Sequence, residues 1–330
     1  MSYPQISIVV AAYNSQDTIG ACIKSLLDLD YPEKEIIVVD DGSTDKTAEI
    51  ASNYSVKVIR KEQGGVSSAR NIGVETSKGE ILAFTDGDCV VDMNWLKRLV
   101  EHFKDEEVGG VGGRVIFLVG DALTTAIAIE YEERFEKRGE NTQSIACINA
   151  AFRRHVFNEV GGFKRILGED VGGEDIEFSY RVKEAGYRLV YEPQAEVSHD
   201  HRTMASSFMK RNYRNAVVSV QNYIKYRRAF ADSFFNPGLI LQPLIFSMLI
   251  VSGFLSLFFA EARSPFLGLF LASLLWNVPL VVKTCRRNRD YSAFPYLSVV
   301  FFLRGVLFAF GMVQGVMRVI RNLFGTRVGI

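Results

Sequence analysis

Long apolar runs dominate the last third of the chain, and few folds can accommodate such segments. Two runs contain almost no polar residue, and a third is interrupted by Arg304 and Gln314. Each run is about the length that a helix needs to cross a hydrocarbon core of roughly 30 Å. We therefore predict an integral membrane protein, with buried helices of a soluble domain as the alternative. The predicted transmembrane region is 235–330, with spans at about 239–260, 265–282 and 296–320.

The charges that flank these runs predict an orientation, because Lys and Arg collect on the cytoplasmic side of a membrane. Arg227 and Arg228 precede the first run, basic residues follow the second, and the connection at 261–264 is nearly neutral. A hairpin with both ends in the cytoplasm fits this pattern. The third run either crosses against the charge rule or lies partly in the interface, with Arg304 snorkelling. We predict three crossings, and hence a multi-pass protein of the cell membrane with a cytoplasmic first domain.

Charge and cysteine content exclude several classes of protein. The chain has 38 basic and 38 acidic residues, so its charge does not indicate nucleic-acid binding and no nucleic-acid partner is predicted. Residues 1–5 contain no basic region or long apolar core, so no secretory signal peptide is predicted. The cysteines lack a CxxC pair, which favours reduced thiols and disfavours a zinc site. They are Cys22, Cys89, Cys147 and Cys285.

The first 230 residues alternate between short β-branched strands and amphipathic helices. Such alternation, with helices of about ten residues, indicates crossover units and a largely parallel sheet. We therefore predict an α/β fold with a Rossmann-like, mostly parallel sheet flanked by helices, followed by the transmembrane helical region. The predicted strands are 6–11, 35–40, 56–60 and 81–84, and the predicted helices are 17–28, 45–53 and 66–76.

Polar side chains follow three of the predicted strands at the points where the strands end. Tyr13 follows the first strand, Asp40 and Asp41 follow the second, and Asp86 and Asp88 follow the fourth. Since ligands of parallel sheets sit beyond the carboxyl ends of the strands, these clusters predict a nucleotide-binding cleft. Two aspartates one residue apart can bind one hard divalent cation, which keeps substrate phosphates among its ligands. An ordinary Asp-Gly turn is the alternative.

Four segments, in this order and spacing, resemble the signatures of family 2 glycosyltransferases. They are residues 9–14, 39–45, 65–71 and 86–88. The resemblance spans residues 6 to about 200. It implies a catalytic domain of the GT-A type at residues 1–202 and a nucleotide-activated sugar as the donor.

The resemblance implies a role for each residue that matches a family motif. Ala11 and Tyr13 would contact the base of the nucleotide, Tyr13 by stacking. Asp41 would accept a hydrogen bond from a ring N–H of the base. Asp86 would face the ribose or the sugar, and Asp88 would bind the metal, which is Mg²⁺ or Mn²⁺. The alternative for Asp41 is a strand-to-helix turn in which a following Thr or Asp side chain caps the helix.

The resemblance also implies roles for Arg70 and His199, and each has a plain structural alternative. Arg70 would reach the base or the diphosphate, although an arginine on an exposed helix face is commonly just solvated. His199 follows a predicted strand and matches a position that contacts the metal or the diphosphate; a surface histidine is the alternative. The predicted metal-binding residues are therefore Asp86, Asp88 and His199.

Gly172 and Gly173 precede a predicted helix that begins with Glu174 and Asp175 and closes at Gly186. Acidic residues in a first helical turn favour the helix dipole, which explains them without catalysis. The Glu-Asp pair nevertheless matches the family's catalytic motif, which implies that Asp175, beside Glu174, is the general base for an acceptor hydroxyl. One base serves a single displacement, so the product would be inverted at the anomeric carbon. With a phosphate acceptor, Asp175 would instead position the acceptor or the metal.

Residues 203–234 are basic and aromatic, and we predict that they form an amphipathic segment at the membrane interface, in contact with anionic lipid. Processive polysaccharide synthases of the family carry a Gln-x-x-Arg-Trp motif near this position. The chain has Lys210-Arg211-Asn212-Tyr213-Arg214 instead. This difference predicts the transfer of one sugar at a time.

Together these features predict a membrane-anchored, inverting glycosyltransferase. The expected donor is a nucleotide-diphosphate sugar, with UDP preferred to GDP, and the expected acceptor is a polyprenyl-linked lipid or a glycan. A polyprenyl-phosphate glycosyltransferase is the alternative within the family. A nucleotidyltransferase usually carries a glycine-rich basic loop after the first strand, and residues 12–16 do not form one. A non-catalytic membrane scaffold would not need Asp86, Asp88 and Asp175 together.

Overall fold

The computed structural model describes residues 3–118, 120–135, 141–164, 173–200, 204–226 and 237–325. The chain divides into two compact units. The first comprises Met1–Val119 and Tyr131–His201, and the second comprises Gly120–Glu130 and Arg202–Ile330. Gly172, Arg227 and Arg228, which entered the predictions above, lie outside the described residues.

One mixed sheet forms the centre of the first unit. Its strands are β1 (Ile6–Ala12), β2 (Lys34–Asp40), β3 (Lys57–Arg60), β4 (Ile81–Asp86), β5 (Cys89–Val91), β6 (Val108–Phe117), β7 (Ala150–Arg153) and β8 (Arg188–His199). The strand order is β3-β2-β1-β4-β7-β6-β8-β5. The predicted α/β fold is confirmed, and β1 to β4 pair in parallel as predicted. The second half of the sheet is mixed, because β7 runs antiparallel to β4 and β6, and β5 runs antiparallel to β8.

Helices cover both faces of this sheet. They are α1 (Ile19–Leu27), α2 (Thr47–Ala51), α3 (Val66–Glu75), α4 (Trp95–Glu101), α6 (Arg154–Val160) and α7 (Glu174–Glu184). A further helix, α5 (Ala122–Phe135), follows β6 in the sequence and belongs to the second unit up to Glu130. Ile8 and Val10 of β1 pack in one core with α1 and α4, whereas Val9 and Ala11 face α3. Burial of both faces explains why β1 is apolar apart from Ser7, instead of alternating between apolar and polar residues.

The second unit is helical. It contains α8 (Ala205–Lys225), α9 (Pro237–Leu255), α10 (Arg263–Trp276), α11 (Val278–Asn288) and α12 (Phe294–Gly325). Two helical segments, Ala260–Asn288 and Phe294–Arg321, are long and apolar enough to cross a membrane, and Leu244–Leu255 is a shorter apolar helix. These helices are compatible with membrane anchoring. The three crossings and their orientation stay predictions.

Two glycines of α12 allow that helix to approach the backbone of α8. A Cβ atom at Gly311 would lie 2.5 Å from the carbonyl oxygen of Tyr213, and one at Gly315 would lie 2.8 Å from that of Val217. Glycines four residues apart form one small stripe on a helix, as in close helix pairs within membranes. Part of the predicted interfacial segment therefore packs directly on an apolar helix of the second unit.

Arg304 lies within α12 and is buried there, contrary to the interpretation in which it snorkels to the surface. Its Nη1 donates a hydrogen bond to Oε1 of Glu130, 2.5 Å away. Its guanidinium group lies 4.5 Å from the ring centroid of Phe301. Earlier in α5, Oγ1 of Thr125 donates a hydrogen bond to Oδ1 of Asn288 at 2.8 Å. The first part of α5 is thus held to α11 and α12 by polar as well as apolar contacts.

All four cysteines are buried and none forms a disulfide, as their scattered positions predicted. The Cys22 thiol lies 3.5 Å from the carbonyl oxygen of Asp86, directly under the end of β4. Burial raises the pKa of the thiols of Cys22 and Cys89 well above the usual range. Neither thiol is therefore a reactive nucleophile.

Candidate active site

The register of the parallel strands brings three predicted polar clusters to one edge of the sheet. Ala12 of β1 lies opposite Asp40 of β2, and Ala11 lies opposite Asp86 of β4. Tyr13 follows β1 and is 45% exposed, so its ring is available for stacking. The strand ends therefore meet as the sequence predicted, and Ala11, which is buried, forms the floor between them.

A hydrogen-bonded bridge joins the ends of β1 and β2. Asn14 adopts a left-handed conformation with φ of 49°. Its backbone N–H donates to Oγ of Ser43 at 2.9 Å, and its side-chain oxygen accepts from the N–H of Thr44 at 2.9 Å. An asparagine tolerates this backbone conformation better than most residues do. The bridge fixes the backbone beside the exposed ring of Tyr13.

Asp41 is saturated with donors from the loop before α3. Its carboxylate accepts from the backbone N–H of Gly64 at 2.9 Å and of Gly65 at 2.7 Å, and from the ammonium of Lys61. The alternative of a cap from a following Thr or Asp side chain is wrong, because the N-cap of α2 is Lys46 and lacks a side-chain cap bond. Asp45 instead makes a local turn bond, in which it accepts the N–H of Thr47 at 3.0 Å. Contact between Asp41 and a nucleotide base stays a prediction. In the structure, Asp41 fixes the two glycines that directly precede α3.

Asp88 and His199 form the part of the site best suited to a metal ion. Oδ2 of Asp88 lies 3.1 Å from Nε2 of His199, which is the last residue of β8. Antiparallel pairing of β5 with β8 places the two together, because Cys89 lies opposite His199. The His199 ring packs edge-on against Phe117, with 5.5 Å between ring centroids. The imidazole is therefore held in place before any ligand arrives.

Cys89 completes a group of three possible ligands with Asp88 and His199, whose ligand atoms lie within 4.8 Å of one another. The sequence interpretation missed Cys89, although it directly follows Asp88. Burial raises the pKa of its thiol, and the nearby Asp86 and Asp88 carboxylates raise it further. Since a thiol must lose its proton to bind a metal well, the carboxylate and the imidazole are the better ligands. That pair could hold a divalent metal ion.

Asp86 points towards a buried arginine. Its Oδ1 accepts a hydrogen bond from Nη2 of Arg70 at 2.9 Å, and Nη1 of Arg70 donates to Oε1 of Glu174 at 2.7 Å. Arg70 is 4% exposed, so it is not the solvated surface arginine of the alternative. A nucleotide contact by Arg70 stays a prediction that this burial does not favour.

Glu174 and Asp175 occupy the first turn of α7, directly after Gly173, which has a left-handed φ of 83°. Glu174 is buried and bonded to Arg70, whereas Asp175 is half-buried. Burial and the adjacent Asp175 carboxylate raise the pKa of Glu174 to about 7, although Arg70 opposes this shift. The carboxylates of Asp86, Glu174 and Asp175 thus all lie near the single positive charge of Arg70. Within the predicted catalytic pair, Glu174 is bonded to that charge and buried, whereas Asp175 is half-buried.

The model of the family described as "Glycosyl transferase family 2" matches residues 7–161. The chain is 32% identical over 242 residues to Glycosyltransferase AglE of Haloferax volcanii, and the match covers 69% of this chain and 78% of AglE. The chain belongs to glycosyltransferase family 2. It is therefore a glycosyltransferase enzyme, as the motifs at the strand ends predicted.

Other glycosyltransferases match over a smaller share of their length. Poly-beta-1,6-N-acetyl-D-glucosamine synthase of Staphylococcus epidermidis is 30% identical over 203 residues, with 58% of this chain and 48% of the synthase covered. The chain also covers 46% of the Pre-mycofactocin glycosyltransferase of Mycobacterium tuberculosis. It thus spans about half the length of these two relatives.

A solved structure confirms the GT-A fold of this glycosyltransferase. Mannosyltransferase PcManGT from Pyrobaculum calidifontis, in complex with GDP-Man and Mn²⁺, is similar with a TM-score of 0.61 and 19% sequence identity. The similarity covers 95% of this chain and 88% of PcManGT. At this level of identity it establishes the fold and leaves substrate and metal to the chemistry of the site.

Proposed function

We propose that this glycosyltransferase inverts the anomeric carbon as it moves one sugar from a nucleotide-diphosphate donor to a polyprenyl-linked or glycan acceptor. One observation carries the proposal. The Asp88–His199 pair and Asp86 lie at the carboxyl edge of one sheet, and Arg70 connects Asp86 to the helix turn that bears Asp175. UDP is the expected nucleotide and GDP the alternative, which the GDP-Man complex of PcManGT keeps open.

The donor would lie across the ends of β1, β2 and β4. Tyr13 offers an exposed ring on which a base can stack, and stacking on an aromatic ring is worth about 1–3 kcal/mol per base. The other oxygen of Asp86 would face the ribose or the sugar, since Oδ1 accepts the bond from Arg70. Its carboxylate is about one-third exposed, which leaves room for that contact.

Asp88 and His199 would hold Mg²⁺ or Mn²⁺ against the diphosphate. The carboxylate–imidazole pair, 3.1 Å apart and held by the edge of Phe117, fits such an ion. When bound, the metal neutralises negative charge that develops on the departing diphosphate. The two side chains supply part of the coordination shell, and the diphosphate supplies the rest.

Asp175 would act as the general base. The acceptor oxygen forms a bond to the anomeric carbon, its proton passes to the Asp175 carboxylate, and the bond from that carbon to the diphosphate oxygen breaks. The electron pair leaves with the nucleoside diphosphate, and attack from the opposite side inverts the configuration. The buried bond from Arg70 to Glu174 supports giving the base role to Asp175 and not to Glu174.

The apolar helices support an acceptor anchored in a membrane, with the catalytic unit on the cytoplasmic side. Two segments long enough to cross a bilayer follow the catalytic unit in the sequence. A lipid-linked acceptor places its reacting group at the membrane surface, where an anchored enzyme meets it. The absence of a Gln-x-x-Arg-Trp motif supports transfer of single sugars.

Release of nucleoside diphosphate by detergent-purified protein tests this function. UDP-sugars and GDP-sugars are screened with Mn²⁺, first with water and then with polyprenyl phosphate or a polyprenyl-diphosphate-linked glycan as acceptor. We expect one donor to be turned over, with loss of turnover in Asp88→Ala and loss of transfer in Asp175→Asn. Asp30→Ala, which removes an exposed carboxylate that pairs with Lys97, is the matched control and retains activity.

The outcomes separate the parts of the proposal. Transfer only to polyprenyl phosphate identifies the polyprenyl-phosphate enzyme, and transfer to the glycan identifies chain extension. Products longer by several sugars contradict the single-transfer proposal. Turnover that survives in Asp88→Ala, or that needs no divalent metal, contradicts the metal assignment.

A further inference from the structure

Arg70 occupies a position that neither a substrate contact nor a surface residue explains. The guanidinium group lies beneath the cleft, 4% exposed, and donates to two carboxylates that are distant in sequence. One is Asp86 at the end of β4, and the other is Glu174 at the start of α7. It also lies 5.8 Å from the ring centroid of Phe163. All of these contacts are inside the first unit.

The helix that carries Arg70 is itself fixed along its length. Asp41 accepts the backbone N–H groups of Gly64 and Gly65 directly before α3. In the middle of α3, the side chain of Asn71 donates to the carbonyl of Phe163 at 2.8 Å and accepts its N–H at 3.0 Å. These bonds hold α3 in place at its start and in its middle. The Arg70 side chain is therefore fixed between Asp86, which would contact the donor, and Glu174, which precedes the proposed base.

The first turn of α7 depends on this fixed side chain. Glu174 and Asp175 are consecutive residues, so a bond that fixes Glu174 also fixes the backbone that carries Asp175. A second arginine anchors the same helix further along: Arg181 donates to the carbonyl of Gly162 at 2.6 Å and pairs with Glu177 at 2.8 Å. Arg181 and Arg70 are both largely buried, but of the two only Arg70 connects α7 to Asp86.

We propose that Arg70 is a positioning residue: its two-pronged bond to Asp86 and Glu174 sets the distance between the donor and the Asp175 base. This inference rests on the proposed function in so far as Asp175 is the base. A fork-shaped guanidinium can bridge two carboxylates in a fixed geometry, whereas an ammonium group acts as a point charge. Arg70→Lys therefore keeps the charge and removes the bridge.

The expected effect lies in turnover and not in donor binding. A displacement of about 1 Å in a catalytic group can lower the rate about 100-fold. For Arg70→Lys we expect kcat for hydrolysis of the sugar nucleotide to fall about 100-fold, while its KM and the Kd of UDP with Mn²⁺ change less than about threefold. Arg181→Lys is the matched control, with lower thermal stability and unchanged kcat.

Glu174 provides an independent test of the same proposal. Glu174→Gln keeps an oxygen that accepts from Arg70, so we expect it to lose much less of kcat than Glu174→Ala does. Glu174→Ala removes the bond, and we expect the loss seen in Arg70→Lys. The double variant Arg70→Lys/Glu174→Ala should lose no more than either single variant, because both changes break one connection. If Arg70→Lys does not fold, the two Glu174 variants still decide the question.

Three results would overturn the proposal. A rise of more than tenfold in the Kd of UDP with unchanged kcat would make Arg70 a nucleotide contact. A loss of kcat in Glu174→Gln as large as that in Glu174→Ala would give the Glu174 charge a part in the chemistry. Multiplying losses in the double variant would show that Arg70 does not act through Glu174. If the wild type turns over no sugar nucleotide, either with water or with the two acceptors, the proposed function fails, and the UDP affinity of the variants still separates a nucleotide contact from positioning.

Discussion

The ion pair between Arg304 and Glu130 predicts an asymmetric response to mutation. The Arg304 side chain is 10% exposed and the Glu130 side chain is 35% exposed. Replacing either residue leaves the charge of the other without its partner. The remaining charge is less accessible to solvent when it is Arg304 than when it is Glu130. Glu130→Leu leaves a guanidinium enclosed by apolar side chains, including Phe301. Arg304→Met leaves a carboxylate at the edge of the unit.

The burial of each side chain sets the size of the effect. Removing one partner of a buried ion pair costs about 3–5 kcal/mol, because the remaining charge is neither paired nor hydrated. We therefore expect Glu130→Leu to lower the free energy of unfolding by about 3 kcal/mol. A partly exposed pair is worth about 1 kcal/mol or less, and Arg304→Met should cost about that amount. The double variant, with two apolar residues in place of the pair, should lie within about 1 kcal/mol of the wild type.

Titration of detergent-solubilised protein with SDS measures these differences, with Trp276 at the end of α10 as a fluorescent reporter in the second unit. Lys104→Met is the matched control, because the Lys104–Glu101 pair is about two-thirds exposed and should contribute almost nothing. Equal losses in the two single variants would refute the argument from burial. A double variant as unstable as Glu130→Leu would show that the pair does not act as a unit.

Three further predictions follow from contacts described above. His199→Asn should lower the affinity for Mn²⁺, measured by titration in the presence of UDP, at least tenfold; an unchanged affinity would remove His199 from the metal site. Because burial raises the pKa of Glu174 to about 7 from the ordinary 4.5, unfolding releases a proton between these values, so stability falls as pH rises through that window. Glu174→Gln should remove this slope from the pH dependence of the melting temperature, and a persisting slope would assign it to another group. Gly315→Ala should destabilise the protein by about 1–3 kcal/mol, because the new Cβ would lie 2.8 Å from a carbonyl oxygen of α8. Gly268→Ala, whose new Cβ would meet no atom of the described residues within 4 Å apart from its chain neighbours and its own helix backbone, should be neutral or stabilising. Equal effects at the two glycines would contradict the packing argument.

The elements of residues 6–84 were predictable because their signals are local. β1 is apolar apart from Ser7, since both of its faces are covered, and α1 has regularly spaced buried residues such as Ile19, Ile23 and Leu26. The position of the candidate site also followed from the sequence, because parallel strands place their polar ends at one edge. Asp86 and Asp88 lie at that edge, as the strand pattern alone predicted.

The partners of these residues could not be predicted, because they come from pairings across long stretches of sequence. Arg70 and Glu174 are separated by 104 positions, and nothing local indicates that Arg70 is buried. Asp88 and His199 meet only because β5 and β8 pair antiparallel in a sheet that the strand pattern predicted as mostly parallel. The sequence shows Arg304 as a charge within an apolar run, but it does not indicate the partner of this charge. That partner, Glu130, lies in a helix whose membership of the second unit could not be predicted from the sequence.

The burial of every native thiol makes the wild-type chain a ready background for site-specific chemical labelling. Cys22, Cys89, Cys147 and Cys285 are all buried, so a maleimide reagent should leave them unmodified in the folded protein. A single cysteine introduced at Leu257 or Tyr291, which are 75% and 59% exposed, would then carry the label. With a reagent that cannot cross membranes, intact and permeabilised cells would report which side each helix connection faces. The predicted orientation can thus be read without first removing any cysteine.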